Sequence, residues 1–402
     1  MATDITQLGL LLFVSALVAM LTRRLRLPYT VGLVLAGIGL HLAQVRIDLQ
    51  LSRDLIFSLF LPPLIFEAAL CLRWTELRRD LPVVTLLATV GVMLAAAVTT
   101  AGMHYGFSWS WGSAGVFGIL IAATDPVSVI ATFKEAGVHG RVRLLIESES
   151  LLNDATAAVA FVSALALLAG ATASPGAIAA TLLLAVGGGI AAGLLAGWAL
   201  VLLAGRSNDH LVEFTLTTLA AYGAFFLAEH FHCSGVLAAL AAGLVVGNRR
   251  PRSASSGTPA SAATRDHSLE IFWEYVAFLA NSLIFLLIGA QLAQQHFAEL
   301  WAPILAAIAL VTLGRALAIY PLCALFAGSR LQVPRSQQHV LVWGGLRGAL
   351  ALALALALPA DMPDRETLIT LTYSVVVFSV FVQGLTITPL LRRLGEIATT
   401  HD

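Results

Sequence analysis

Within a long apolar stretch, the chain reads Glu147-Ser148-Glu149-Ser150-Leu151-Leu152-Asn153-Asp154. A helix turns about 100° per residue, so Glu147, Ser150 and Asp154 share one stripe, while Glu149 and Asn153 share another about 100° away. Asp154 and Glu149 therefore point in different directions and suit different tasks. A carboxylate facing a water-filled pathway can hold either a proton or a cation, because desolvation makes its lone charge expensive and each ligand neutralises it. A carboxylate facing the packed interior needs a buried cationic partner. On this pattern Asp154 is the candidate exchange group and Glu149 is half of a neutralised pair. Asn153 stands where a second acid could stand, which leaves a single titrating group and predicts one cation per proton. Glu147, nearer the end of the stretch, is expected to be solvated.

Three further strings carry polar chemistry inside apolar sequence. In Thr124-Asp125-Pro126 the proline removes a backbone donor and pushes the residue before it away from helical geometry. A helix should be interrupted there. The freed carbonyls and the Thr124 hydroxyl are hard oxygen ligands that suit Na⁺, and Asp125 can compensate a half-helix N-terminus. An ordinary proline kink would not require the acid. The string Trp343-Gly344-Gly345-Leu346-Arg347-Gly348 holds three glycines, each weakening a helix by about 1 kcal/mol, so a second break is expected there. If the two broken helices cross, Asp125 and Arg347 bring opposite charges to the unlike dipole ends. In Leu61-Pro62-Pro63-Leu64-Ile65-Phe66-Glu67, the acid could serve at the mouth of the pathway or at the site, or lie just inside the interface.

What must position these residues follows from composition. Of 402 residues, 58% are apolar and 11% charged, whereas a soluble domain carries about 25% charged residues. The chain reads as an all-α polytopic membrane protein. Its 23 basic and 23 acidic residues balance, without the clustered positive charge that nucleic acid requires. Cys71, Cys233 and Cys323 are too few and too scattered for a disulfide framework or a Cys-rich metal site. A membrane helix needs about 20 apolar residues. Cutting at charged and Gly/Pro/Ser-rich breaks gives thirteen segments: 5–22, 29–45, 53–72, 81–102, 112–133, 142–170, 175–204, 211–228, 233–248, 268–292, 299–328, 337–358 and 366–391. The first is not a cleavable signal, since Arg23, Arg24 and Arg26 follow it instead of preceding it.

Of the 23 basic residues, Arg315 and Arg347 fall deep within segments and Arg46, Arg53 and Arg365 in, or at the edge of, loops after even-numbered ones. The other 18 lie in, or at the edge of, loops after odd-numbered segments. By the positive-inside rule the latter loops are cytoplasmic, which places the N-terminus outside and the C-terminus inside. An odd count permits two inverted six-helix repeats, segments 1–6 and 8–13, joined by the seventh, with broken fifth and twelfth helices crossing near the midplane. The expected organisation is a single transmembrane domain over residues 1–395, with a cytoplasmic loop at 249–267 and a short cytoplasmic tail at 396–402. A charge near the bilayer centre costs at least about 2.5–3.5 kcal/mol, which singles out Asp125, Asp154, Arg315 and Arg347.

These strings occur in a familiar order: Phe66-Glu67 after Pro-Pro, Thr124-Asp125-Pro126, Glu149-Ser150-Leu-Leu-Asn153-Asp154, Cys233-Ser234-Gly235-Val and Gly345-Leu-Arg347-Gly348. Over about residues 5–395 the chain resembles sodium/proton exchangers of the monovalent cation–proton antiporter-1 family. The resemblance implies thirteen helices in two inverted repeats, a homodimer in membrane lipid, and Na⁺ and H⁺ as substrates. It implies that Asp154 is the exchange carboxylate, with Ser150, Thr124 and Glu67 around the ion, and that Glu149 pairs with Arg315. No cofactor is called for. The short C-terminal tail is that of a compact prokaryotic member of a bacterial plasma membrane, for which regulation by tail-binding partners is not expected.

Two other classes compete. Intramembrane aspartyl proteases also use two embedded aspartates, but carry a Gly-x-Gly-Asp string, and this chain has no Gly-Asp dipeptide. A passive cation channel would account for the midplane acids but not for the buried arginines or the paired breaks. The sequence thus points to an electroneutral exchanger working by alternating access, not to an enzyme. Li⁺ and K⁺ also take hard oxygen ligands, so a K⁺-selective exchanger is the alternative reading.

Overall fold

In lipid, backbone polar groups are satisfied only within helices or closed barrels, and among the described residues of the computed structural model every regular element is a helix. The structure describes residues 2–25, 27–45, 49, 51–125, 129, 133, 138, 140–170, 175–204, 206, 209–249, 259–295 and 297–396. In chain order the helices are α1 (Ala2–Leu25), α2 (Tyr29–Leu42), α3 (Leu61–Cys71), α4 (Trp74–Leu86), α5 (Val92–Phe107), α6 (Trp111–Leu120), α7 (Arg141–Leu168) and α8 (Pro175–Ala204). They continue with α9 (His210–His230), α10 (Gly235–Arg249), α11 (Pro259–Leu292), α12 (Trp301–Ala324), α13 (Arg335–Trp343), α14 (Ala349–Leu356), α15 (Arg365–Phe378) and α16 (Gly384–Arg393). Wider π-turns precede α3 (Leu55–Phe60), join α4 to α5 (Leu87–Gly91) and join α15 to α16 (Ser379–Gln383).

Among the described residues, eight stretches are long and apolar enough to cross a membrane: Thr6–Leu25, Trp74–Phe107, Arg141–Leu168, Leu183–Ala204, His210–His230, Ser268–Leu292, Trp301–Ala324 and Arg365–Arg393. Four shorter apolar helices, Tyr29–Leu42, Leu55–Cys71, Trp111–Leu120 and Gly235–Asn248, accompany them. α11 begins at Pro259, inside the stretch expected as a loop over 249–267. Proline suits a first helical position and the following Ala-Ser-Ala-Ala favours helix. Residues 250–258 of that loop and 397–402 of the tail lie outside the described residues.

The chain forms two units, residues 1–56, 79–170 and 282–402, and residues 57–78 and 171–281. The first unit packs around Val83, Leu87, Phe133, Leu145, Ile146, Ile319, Leu341 and Ile387. Apart from Phe133, those side chains come from α4, the turn after it, α7, α12, α13 and α16. The second unit packs small residues closely: Ala220, Ala221 and Ala224 of α9 and Ala238 and Ala242 of α10 lie with Phe66 of α3 and Trp273 of α11. Close backbone approach through small side chains is the usual way for helices to associate in lipid. There the Trp273 ring meets Phe66 in a tilted arrangement, centroids 4.6 Å apart, and donates its indole Nε1–H to Thr217 Oγ1 at 3.1 Å.

Candidate functional site

The first break lies in the first unit at the C-terminal end of α6. Ser110 caps the start of that helix, its hydroxyl accepting from Ser113 N at 3.0 Å. The helix stops at Leu120 and residues 123–125 carry no helical hydrogen bonds. The interruption therefore begins before Pro126, which lies outside the described residues. Buried backbone groups without a helix need other partners, and here they come from polar side chains of Arg347, Asn153 and Ser150 and from one backbone carbonyl of the second break. The carbonyls of Ala122 and Ala123 accept from Arg347 Nη1 at 2.8 and 3.0 Å. Thr124 N donates to Asn153 Oδ1 at 3.1 Å, Ser150 Oγ donates to Thr124 O at 2.5 Å, and Asp125 N donates to Leu346 O at 2.7 Å.

The second break is its counterpart. α13 ends at Trp343, Gly344 to Gly348 are non-helical, and α14 resumes at Ala349. Arg347 N donates to Ser379 Oγ at 2.8 Å, and Leu346 O receives Asp125 N from the first break. The glycines have a steric reason. A Cβ on Gly345 would stand 2.7 Å from Arg315 Nε, and one on Gly348 would collide with the Asp125 carboxyl group. Asp125 thus lies against the N-terminal end of α14, where a negative charge is favoured.

Three arginines occupy the opposite poles, where carbonyls are left over and positive charge is favoured. Arg347 takes the end of α6. Arg315 reaches Leu341 O near the end of α13 from Nε at 3.3 Å and Nη2 at 3.2 Å. Arg365 donates to Leu358 O at 3.0 Å beyond the end of α14.

The carboxylates on α7 separate as their stripes require. Glu149 is 1% exposed and accepts Arg315 Nη1 on Oε1 and Nη2 on Oε2, both at 2.7 Å. Asn153, fully buried, links this pair to the first break: its Nδ2 donates to Glu149 Oε1 at 3.0 Å and to Thr124 Oγ1 at 2.6 Å. Thr124 Oγ1 also lies 2.9 Å from Ser150 Oγ. Asp154 is buried too, yet its Oδ1 has no hydrogen-bond partner among the described residues. It lies within electrostatic reach of Asp125, Glu149 and Arg347. An unpartnered buried carboxylate oxygen must be neutralised, and a proton or a small cation can each do so. The nearby hydroxyls, carbonyls and carboxylates are hard donors, suited to alkali ions.

The first unit therefore brings together Thr124, Asp125, Glu149, Ser150, Asn153, Arg315 and Arg347, with Asp154 on the same helix as three of them. Glu67 is half-buried on α3 and belongs to the second unit. Glu147, expected to be solvated, is instead 7% exposed and accepts Arg143 Nε at 2.6 Å. The i,i+4 spacing puts an arginine beside it, and Arg143 itself is only partly exposed. Ser379 was not anticipated. Its signal is present, since Ser379 and Gln383 are polar residues four apart in an otherwise apolar run.

Comparison with known proteins bears on what such an arrangement serves. A family model described as the transmembrane part of sodium/hydrogen exchangers matches residues 10–393. The low-affinity Na⁺/H⁺ antiporter NhaS1 of Synechocystis is 36% identical over 98% of this chain and 75% of its own length. The Na⁺/H⁺ antiporter NhaH of Halobacillus aidingensis is 34% identical over 97% of each chain. Among solved structures, the sodium proton antiporter MjNhaP1 of Methanocaldococcus jannaschii has the same fold. It superposes with a TM-score of 0.75 at 20% identity, covering 98% of this chain and 97% of its own.

Proposed function

The chain belongs to the sodium/hydrogen exchanger family of secondary transporters, and from that premise we propose that it exchanges Na⁺ for H⁺ by competition of the two at Asp154. The observation that carries the proposal is the buried Asp154 Oδ1, the one carboxylate oxygen among the described residues that is buried with no hydrogen-bond partner. Glu149 is committed to Arg315 and so is not free to alternate between ligands. Thr124 and Ser150 supply hydroxyl and carbonyl oxygens on the adjoining break and turn. With a single neutralisable carboxylate, one cation moves against one proton and the cycle is electroneutral.

The family is integral to the membrane, and the remaining organisation is part of the same proposal. Eight long spans, four short ones and the interrupted pair α13–α14 support thirteen crossings. The basic loops support an outside N-terminus and a cytoplasmic C-terminus. Two interrupted helices, one in each half of the chain, support inverted repeats. A homodimer in the bacterial plasma membrane is the expected assembly.

Reconstitution tests the function. Proteoliposomes with an imposed pH gradient should lose it on addition of Na⁺ without a change in a membrane-potential dye. Li⁺ and K⁺ in the same assay define selectivity. A gradient that persists with all three ions would refute the exchange reading, and current under voltage without a counter-gradient would identify a channel.

A further inference from the structure

We propose that a small cavity beside the second break is the site of one resident water molecule, held by Arg347, Thr312 and Gln383. Arg347 is 2% exposed and its Nε has no hydrogen-bond partner among the described residues. A buried guanidinium N–H without an acceptor costs free energy. The guanidinium has five donors, and those on Nη1 are taken by Ala122 and Ala123. Next to it lies a cavity of about 10 Å³, lined by the polar residues Thr312, Arg315, Arg347 and Gln383 and otherwise by apolar side chains such as Val311 and Phe378. That is the size of one water, which needs about 10–15 Å³ and two to four polar partners. A cation is excluded by the two guanidinium groups on the wall.

The surrounding hydrogen bonds leave the groups such a water needs. Thr312 donates its hydroxyl proton to Ile308 O at 2.8 Å, so its oxygen remains an acceptor. Ser379 Oγ accepts from Arg347 N and donates to Gln383 Oε1 at 2.7 Å, which fixes the amide so that Gln383 Nε2 remains a donor. A water there accepts from Arg347 Nε and Gln383 Nε2 and donates to Thr312 Oγ1. Arg347 Nε is then paired. The π-turn Ser379–Gln383 creates the arrangement, because its extra residue per turn widens the helix locally and π-turns often serve a site in this way. Ser379 and Gln383 are thus positioning residues for Arg347: one holds its backbone, the other holds its guanidinium through water. This assignment does not depend on which ion the protein carries.

The test is an experimental structure of the full-length protein in nanodiscs at a resolution that shows buried waters, for the unsubstituted chain, Thr312→Val and Thr312→Ser. The unsubstituted and Ser forms should show a peak within hydrogen-bonding distance of Arg347 Nε, Thr312 (or Ser) Oγ and Gln383. Thr312→Val, of the same shape but without the acceptor, should lose the peak and melt at a lower temperature than Thr312→Ser. A dry cavity in a map that resolves other buried waters would overturn the assignment, as would Arg347 Nε bonded directly to a protein oxygen. Equal melting of the Val and Ser variants would also count against it.

Discussion

Arg315 meets Glu149 with two parallel hydrogen bonds, Nη1 to Oε1 and Nη2 to Oε2, each 2.7 Å long. The same guanidinium holds Leu341 O, so one side chain neutralises an acid on α7 and closes the end of α13. Removing one partner of a buried pair leaves the other uncompensated and costs about 3–5 kcal/mol. Glu149→Ala and Arg315→Ala should each melt well below the unsubstituted protein or fail to accumulate. Replacing both together should recover part of the loss. A thermal melt in detergent checks this, and additive effects of the two substitutions would count against a direct pair.

Gly345 and Gly348 admit Arg315 and Asp125, respectively, to positions that a Cβ would occupy. Gly348→Ala should displace the Asp125 carboxylate from the end of α14 and slow exchange by about tenfold, equivalent to about 1.4 kcal/mol. Gly115→Ala is the control, since a Cβ there meets nothing within 4 Å. Flux measurements in proteoliposomes should separate the two variants.

Asn153 cannot be replaced by its acid without penalty. Its Nδ2 lies 3.0 Å from Glu149 Oε1, so Asn153→Asp sets a second carboxyl against Glu149. Protonated, the new group can still donate; ionised, it faces a like charge at close range. The melting temperature of Asn153→Asp should therefore fall further below the unsubstituted protein at alkaline pH than at acidic pH. Equal destabilisation at both would show that shape and not charge matters at this position.

Arg141 ties the start of α7 to Asp80 of α4 at 2.6 Å and to the carbonyls of Leu331 and Gln332 at 2.9 and 2.7 Å. Those carbonyls belong to the segment leading into α13. Arg141→Ala should accelerate amide hydrogen exchange around residues 329–334 while leaving the middle of α12 protected. Unchanged exchange in that segment would mean the tie carries no restraint.

How far the site can be read from sequence differs residue by residue. Arg315, Arg347, Glu149 and Asp154 stand out because a charge in an apolar run is costly wherever it lies, and that needs no knowledge of the fold. The glycines at 344, 345 and 348 announce a break for an equally local reason. Where the first break begins was not legible, because Leu120 and Ile121 are good membrane-helix residues. What ends α6 there is the set of distant groups, on Asn153, Ser150 and Arg347, that take its backbone. The burial of Glu147 is hidden for a related reason: nearness to a segment end does not reveal how far the side chain is shielded. The small cavity beside Arg347 depends on a π-turn in another helix, which spacing alone does not disclose.

The central claim is that Na⁺ and H⁺ compete for Asp154, and binding tests it more directly than flux. Cation binding to a protonated carboxyl displaces its proton. Purified protein in weakly buffered detergent solution should acidify the medium on addition of Na⁺, one proton for each ion bound. Asp154→Asn, verified as folded by its melting curve, should release none. Proton release by that variant equal to the unsubstituted protein, or Na⁺ binding by the unsubstituted protein with no proton released, would contradict the claim.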